Sequence, residues 1–112
     1  MELEISVKEF SELRKNPPAN AEEAVLLLDC REPVEFEMAR LEDSVLMPMG
    51  DVPSRAHQEL DPDQHIVVMC HHGQRSLNVA LWLRQQGFEN AQSLAGGIEE
   101  WARVIDPAVP RY

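Results

Sequence analysis

The residues that could do chemistry stand in one short run, Cys70, His71, His72, Gly73, Gln74, Arg75 and Ser76, directly after the apolar Ile66, Val67, Val68 and Met69. The stretch from about Arg75 to Gln86 carries Leu77, Val79, Ala80, Leu81, Trp82 and Leu83, with Gly87 as a left-handed stop, and reads as a largely buried helix. A thiol is thereby set at a helix N-terminus. The first backbone N–H groups of a helix lack intrahelical partners and the macrodipole puts partial positive charge there, so a thiolate or another anion is stabilised. Gly73 lets the loop turn successive N–H groups inward as an anion nest, and Arg75 adds a fixed charge with fork geometry. A thiolate so held can attack a sulfane sulfur, and the resulting persulfide keeps its anionic outer sulfur among the same donors.

Other reactive residues are sparser. Cys30 follows the apolar run Val25 to Leu28; it reads first as a small buried hydrophobe, with a redox pair to Cys70 as the alternative. Asp29, Arg31 and Glu35 read as an ion-pair group bracing a sheet edge, with a supporting role for Asp29 and Arg31 at the site as the other reading. His71 and His72 are not expected to hold a metal, because adjacent side chains diverge and one soft ligand is near. With an ordinary pKa of about 6.5, they would instead make any reaction pH-dependent near neutrality. His57 and His65 read as surface residues, and Gly96, Gly97 and Trp101 as turn and packing residues outside the site.

Positioning these residues falls to short apolar runs and the helices between them. Leu3 to Ile5, Val25 to Leu28, Val45 to Met47, Ile66 to Met69 and, with a weaker apolar pattern, Ala91 to Leu94 are each short enough for a strand. The second and fourth do not alternate with polar residues, as in central strands of a parallel sheet. Ser6 and Glu9 have capping-box spacing ahead of Val7, Phe10 and Leu13, so a first helix should end near Asn16, before Pro17 and Pro18. Pro33 fits the first turn of a second helix, with Glu32 and Glu35 near its positive end and Phe36 and Met38 free to pack. Asp51 to Leu60 reads as a third, poorly patterned helix, and Ile98 to about Val104 as the last, followed by an extended tail at Pro107 and Pro110.

Alternating strands and helices predict an α/β fold, a small five-stranded parallel sheet flanked by helices on both faces, in a single domain spanning 1–112. In such sheets ligands bind beyond the carboxyl ends of the strands, where Asp29, Cys30, Arg31 and Cys70 all fall. At 112 residues and 44% hydrophobic content the chain can supply one core. Its net charge of -10, from 20 acidic and 10 basic residues, opposes binding to nucleic acid or anionic membrane. That field also opposes small anions at long range, so an anion site must rely on local donors. No apolar run approaches the ~20 residues of a membrane span, and Met1 to Phe10 lacks the form of a signal peptide, which predicts a cytoplasmic protein.

The string Cys70 to Ser76 has the form CxxGxRS and resembles the active-site loop of the rhodanese family. Leu28, Asp29, Cys30, Arg31, Glu32, then Glu35 and Phe36 resemble the family's Asp-x-Arg-Glu stretch, and Gly87, Phe88, Leu94, Gly96, Gly97, Ile98 and Trp101 resemble its closing LxGGIxxW segment. The resemblance implies a thiosulfate or persulfide sulfurtransferase, with no metal or other cofactor, working by double displacement. Cys70 would be the nucleophile and sulfur carrier, the amides of His71 through Ser76 would surround the outer sulfur, and Arg75 would close the ring. Implied partners are a small sulfur-containing anion and a sulfur-accepting protein or thiol. A non-catalytic binding module of the same fold is the alternative. Related phosphatases and arsenate reductases resemble the same loop with one more residue between cysteine and arginine; the four here make a smaller ring, suited to one sulfur atom. Ala39, Arg40, Leu41, Asp43 and Ser44 depart from the family pattern, in a segment distant in sequence from Cys70. Histidines at 71 and 72, in place of Arg or Lys, predict weak thiosulfate binding, which His71→Lys should improve.

Overall fold

The structure, a computed structural model, describes residues 1–20 and 24–112. Among these, five strands form one all-parallel sheet: β1 (Glu4–Ile5), β2 (Leu26–Asp29), β3 (Ser44–Leu46), β4 (Ile66–Met69) and β5 (Ala91–Leu94), in the order β1-β5-β4-β2-β3. The unbroken apolar runs of β2 and β4 are adjacent and interior, in register from Leu26↔Ile66 to Asp29↔Met69. Their carboxyl ends therefore lie side by side, and the next residues on each strand are the two cysteines.

Helices cover both faces. Leu28, Val68 and Ile66 point to one face, where Val52 and Ala56 of α3 (Val52–Glu59) and Val79, Ala80 and Leu83 of α4 (Gln74–Gln85) complete the layer. Leu27, Val67, Met69 and Leu94 point to the other, against Val7 and Phe10 of α1 (Val7–Lys15) and Ile98 and Trp101 of α5 (Gly97–Val104). Each side chain of this size fully withdrawn from water contributes about 1.5–3 kcal/mol. The capping box at Ser6 and Glu9 forms, with the Glu9 amide donating to Ser6 Oγ at 3.1 Å. Asn16 caps the far end of α1.

Two helices differ from the sequence reading. α2 (Pro33–Met38) buries none of its residues: Met38 is 51% exposed and Phe36, half-buried, lies beneath the Arg40 guanidinium. Six residues make too short a helix to lay a stripe on the sheet, and Ala39 and Leu41 enter the core instead. In α4 the buried positions are Ser76, Val79, Ala80 and Leu83, a single helical stripe, while Leu81 is 42% exposed and Leu77 and Trp82 are half-buried. One side of that helix meets the sheet and the other meets water. Gly87 ends it with φ 97°. No helix among the described residues is long and apolar enough to cross a membrane.

Candidate active site

Between β4 and α4 the chain makes the loop that starts at Cys70, whose side chain is 1% exposed. The Gly73 amide donates to Cys70 Sγ at 3.1 Å and the Ser76 amide does so at 3.3 Å. The Cys70 thiol in turn points at Ser76 Oγ, 3.4 Å away. Ser76 donates to the Gly73 carbonyl at 3.2 Å and lies 2.8 Å from the hydroxyl of Ser93 on β5. Gly73 bends the loop at φ 102°, in the left-handed region where a side chain is strained, and a Cβ there would also press on the Gly96 amide.

The reverse side of the loop is held by α5. The Ile98 amide donates to the Cys70 carbonyl at 2.9 Å and the Glu99 amide to the His71 carbonyl at 3.1 Å. Carbonyls thus turn toward α5 while amides turn toward sulfur. Gly97 has φ 62°, and any Cβ on it would collide with those same two carbonyl oxygens. Gly97 is therefore more than a turn residue: it lets one helix N-terminus approach and orient the loop that another helix follows.

Arg75 is held by a carboxylate. Its Nη1 and Nη2 donate to Glu35 Oε1 and Oε2 at 2.7 and 3.0 Å, a bidentate pair. Those bonds hold the Glu35 carboxyl down at about 2 against the opposing effect of burial, with further help from the Glu32 amide and the Tyr112 hydroxyl, and they push Arg75 upward. The expected group of Asp29, Arg31 and Glu35 is thus divided. Asp29 and Arg31 form a wholly buried pair, at 2.7 Å between Nη2 and Oδ2, while the Glu35 carboxylate turns to Arg75 because Pro33 starts a helix that carries it away from Asp29.

His71 and His72 do not diverge: their ring centroids are 3.9 Å apart. On its other face His71 stacks against Tyr112 at 3.9 Å and 9°, and its Nε2 is buried without a hydrogen-bond partner. Burial, then the neighbouring His72, pushes the His71 pKa down, which moves its titration away from neutrality. A lysine at 71 would give up this stack. His72 and Gln74 are exposed, and His57 and His65 lie away from the loop, against Phe88 and Gln92.

Cys30 is fully buried on the same sheet face as Cys70, at the end of the neighbouring strand, and both thiols are free. Burial, with Cys70 and Asp29 nearby, pushes the Cys30 thiol up to about 12. It remains a protonated, packed group at neutral pH.

Residues 6–104 match the family model of the Rhodanese-like domain. The chain belongs to the rhodanese-like domain family. It is similar to the rhodanese-like/PpiC domain-containing protein 12, chloroplastic, of Arabidopsis thaliana, at 36% identity over 89 residues, which are 77% of this chain and 30% of that protein. With the thiosulfate sulfurtransferase GlpE of Pseudomonas syringae it shares 35% identity over 96 residues, 82% of this chain and 90% of that protein. The chain thus spans less than a third of the first relative and nearly all of the second. A rhodanese-related protein from Thermoplasma volcanium superposes with a TM-score of 0.76 at 28% identity, over 97% of this chain and 96% of that one. These likenesses show the fold and support sulfurtransferase activity in general.

Of the residues singled out from sequence, Cys70, Gly73, Arg75 and Ser76 meet at one place, and Asp29 and Arg31 reach it through Glu35 and Tyr112. Ser93 and Tyr112 are not marked by the sequence, and Gly97, read there as a turn and packing residue outside the site, lies against the loop carbonyls. An LxGGI string signalled a close approach for Gly97, whereas nothing local to Ser93 or Tyr112 marks either one.

Proposed function

We propose that this domain is a sulfurtransferase that carries sulfane sulfur as a persulfide on Cys70, with thiosulfate or a persulfide as donor and a thiol, a protein or cyanide as acceptor. The observation that carries this reading is the pair of amides, Gly73 and Ser76, donating to Cys70 Sγ at the start of α4. They stabilise negative charge on that sulfur without needing a cation in contact.

In the first displacement the Cys70 thiolate attacks the outer sulfur of thiosulfate. A Cys70 S–S bond forms, the S–S bond of thiosulfate breaks, and sulfite leaves with its electron pair. The Ser76 hydroxyl, which accepts from the thiol, can rotate to donate to the thiolate once the proton has gone to solvent. The loop amides from His71 to Ser76 then serve the outer, anionic sulfur, and Arg75, held in place by Glu35, draws the anionic donor toward the loop. In the second displacement the acceptor nucleophile takes the outer sulfur and the Cys70 thiolate returns. No metal or cofactor enters either step. Four residues between Cys70 and Arg75 favour a ring fitted to one sulfur atom over a tetrahedral oxyanion. Two free thiols suit a reducing cytoplasmic setting.

The test is intact mass after incubation with thiosulfate, with and without reductant. Addition of one sulfur atom, lost on reduction and missing in Cys70→Ala, is expected. No adduct together with no thiosulfate:cyanide turnover would leave a binding module as the better reading, and hydrolysis of an aryl phosphate would point to the oxyanion chemistry instead.

A further inference from the structure

Tyr112 lies outside residues 6–104, the stretch that the family accounts for, yet it touches groups at both ends of the Cys70–Ser76 loop. At the start of the loop its ring covers His71. Toward the end, its hydroxyl donates to Glu35 Oε2 at 2.7 Å, on the carboxylate that grips Arg75. The same oxygen accepts from Arg31 Nη1 at 2.8 Å. Its orientation is forced, because a guanidinium can only donate and an ionised carboxylate can only accept. One phenol therefore couples the buried Asp29–Arg31 pair to the more exposed Glu35–Arg75 pair. Arg111, one residue earlier, pairs with Glu99 on α5, whose amide holds the His71 carbonyl, so the tail is fastened on that side as well.

We propose that Tyr112 is a positioning residue for sulfur transfer: its hydroxyl fixes the Glu35–Arg75 pair beside the loop, and its ring packs His71 against His72 at the loop's start. The proposal rests on the sulfurtransferase reading of Cys70. Glu35 accepts from the Glu32 amide at 3.1 Å, from both Arg75 nitrogens and from Tyr112, four donors that leave the carboxylate little freedom. Without the phenol, Glu35 keeps Arg75 but loses its link to the rigid inner pair, and a donor anion must then order the Arg75 fork itself. The cost falls on donor binding more than on the displacement. The ring does separate work. The titratable groups around His71 are His72 on the loop, Glu35 on α2, Glu99 on α5 and Tyr112 on the tail, and burial is the largest influence on its protonation. Removing the ring admits water to His71 and moves its titration up, toward that of a free imidazole.

Two variants separate the hydroxyl from the ring, and two measurements read them: steady-state thiosulfate:cyanide kinetics and NMR titration of the His71 imidazole. Tyr112→Phe is expected to raise KM for thiosulfate about two- to tenfold, the effect of one lost hydrogen bond, with kcat within about twofold of wild type. It should leave the His71 midpoint in place. Tyr112→Ala should raise KM at least as much and also move the His71 midpoint upward. An unchanged KM in both variants overturns the proposal, and so does a His71 midpoint that stays put in Tyr112→Ala. A wild-type protein that transfers no sulfur defeats the functional reading, and with it the role assigned here, while the titration in the same samples still reports whether Tyr112 covers His71.

Discussion

Two arginine–carboxylate pairs stand in one hydrogen-bonded network, and they differ in almost every property except their 2.7 Å closest approach. Arg31 and Asp29 are two residues apart in sequence and 0% exposed; Arg75 and Glu35 are forty apart, with side chains 32% and 14% exposed. In the inner pair, Nε and Nη2 of Arg31 both reach Asp29, Nη2 also donates to the Ala39 carbonyl, and Nη1 reaches Tyr112 and the Glu35 carbonyl. Its desolvation is offset by complete hydrogen bonding, and what it fixes is main chain. The outer pair keeps access to water and has a side chain with charge to offer an anion. A buried pair holds a shape, and a half-buried pair can take part in an encounter.

The largest expected effect tests the inner half of that contrast. Arg31→Met removes the cation and leaves Asp29 buried without its partner, so urea unfolding should show a loss of about 3–5 kcal/mol. Replacing Asp29 by Leu in the same chain should recover part of that loss, because the uncompensated charge is then gone. A single variant that loses under ~1 kcal/mol would mean the pair is not what braces the turn between β2 and α2.

For the outer pair the expected effect is on the reaction, not on stability. Arg75→Lys retains the charge and loses the planar fork that meets both Glu35 oxygens. We expect KM for thiosulfate to rise roughly tenfold, with the melting temperature close to wild type and the sulfur adduct on Cys70 still visible by mass. If Arg75→Lys instead destabilises the fold as severely as Arg31→Met does, the two pairs do the same work and the contrast collapses.

The same division explains what could be read from the chain. β2, β4 and α1 are legible because their signals are local: four consecutive apolar residues, or a serine three residues before a glutamate. The CxxGxRS loop is legible for the same reason, and with it the joining of Cys70 to a helix N-terminus. Asp29 with Arg31 could be paired from sequence because they are neighbours. Glu35 could not be assigned to Arg75, since its direction depends on where a six-residue helix points after Pro33, and the choice between two arginines is made in three dimensions. Tyr112 is further still, 77 residues from Glu35, with no periodicity or motif around it. The exposure of Met38 and Leu81 is not legible in the chain, because a hydrophobic residue type does not say which side of a helix meets the sheet.

The smallest expected effect is a change of slope with pH, and it isolates the Glu35 carboxylate. Hydrogen bonds from Arg75 hold its pKa down from 4.5 to about 2 in the fold. The unfolded chain therefore binds the proton first on acidification, so the stability this group contributes is present above about 4.5 and is lost as pH falls through about 2. Glu35→Gln cannot take up that proton. Unfolding free energies measured at about pH 5 and about pH 3 should thus fall less in Glu35→Gln than in wild type, although the variant starts from a lower value. Water and salt screen a half-exposed pair, which keeps the difference small, and added salt should shrink it further. Equal slopes in the two proteins would show that Arg75 does not hold Glu35 ionised in solution, and the outer pair would then have no fixed arginine for Tyr112 to steady.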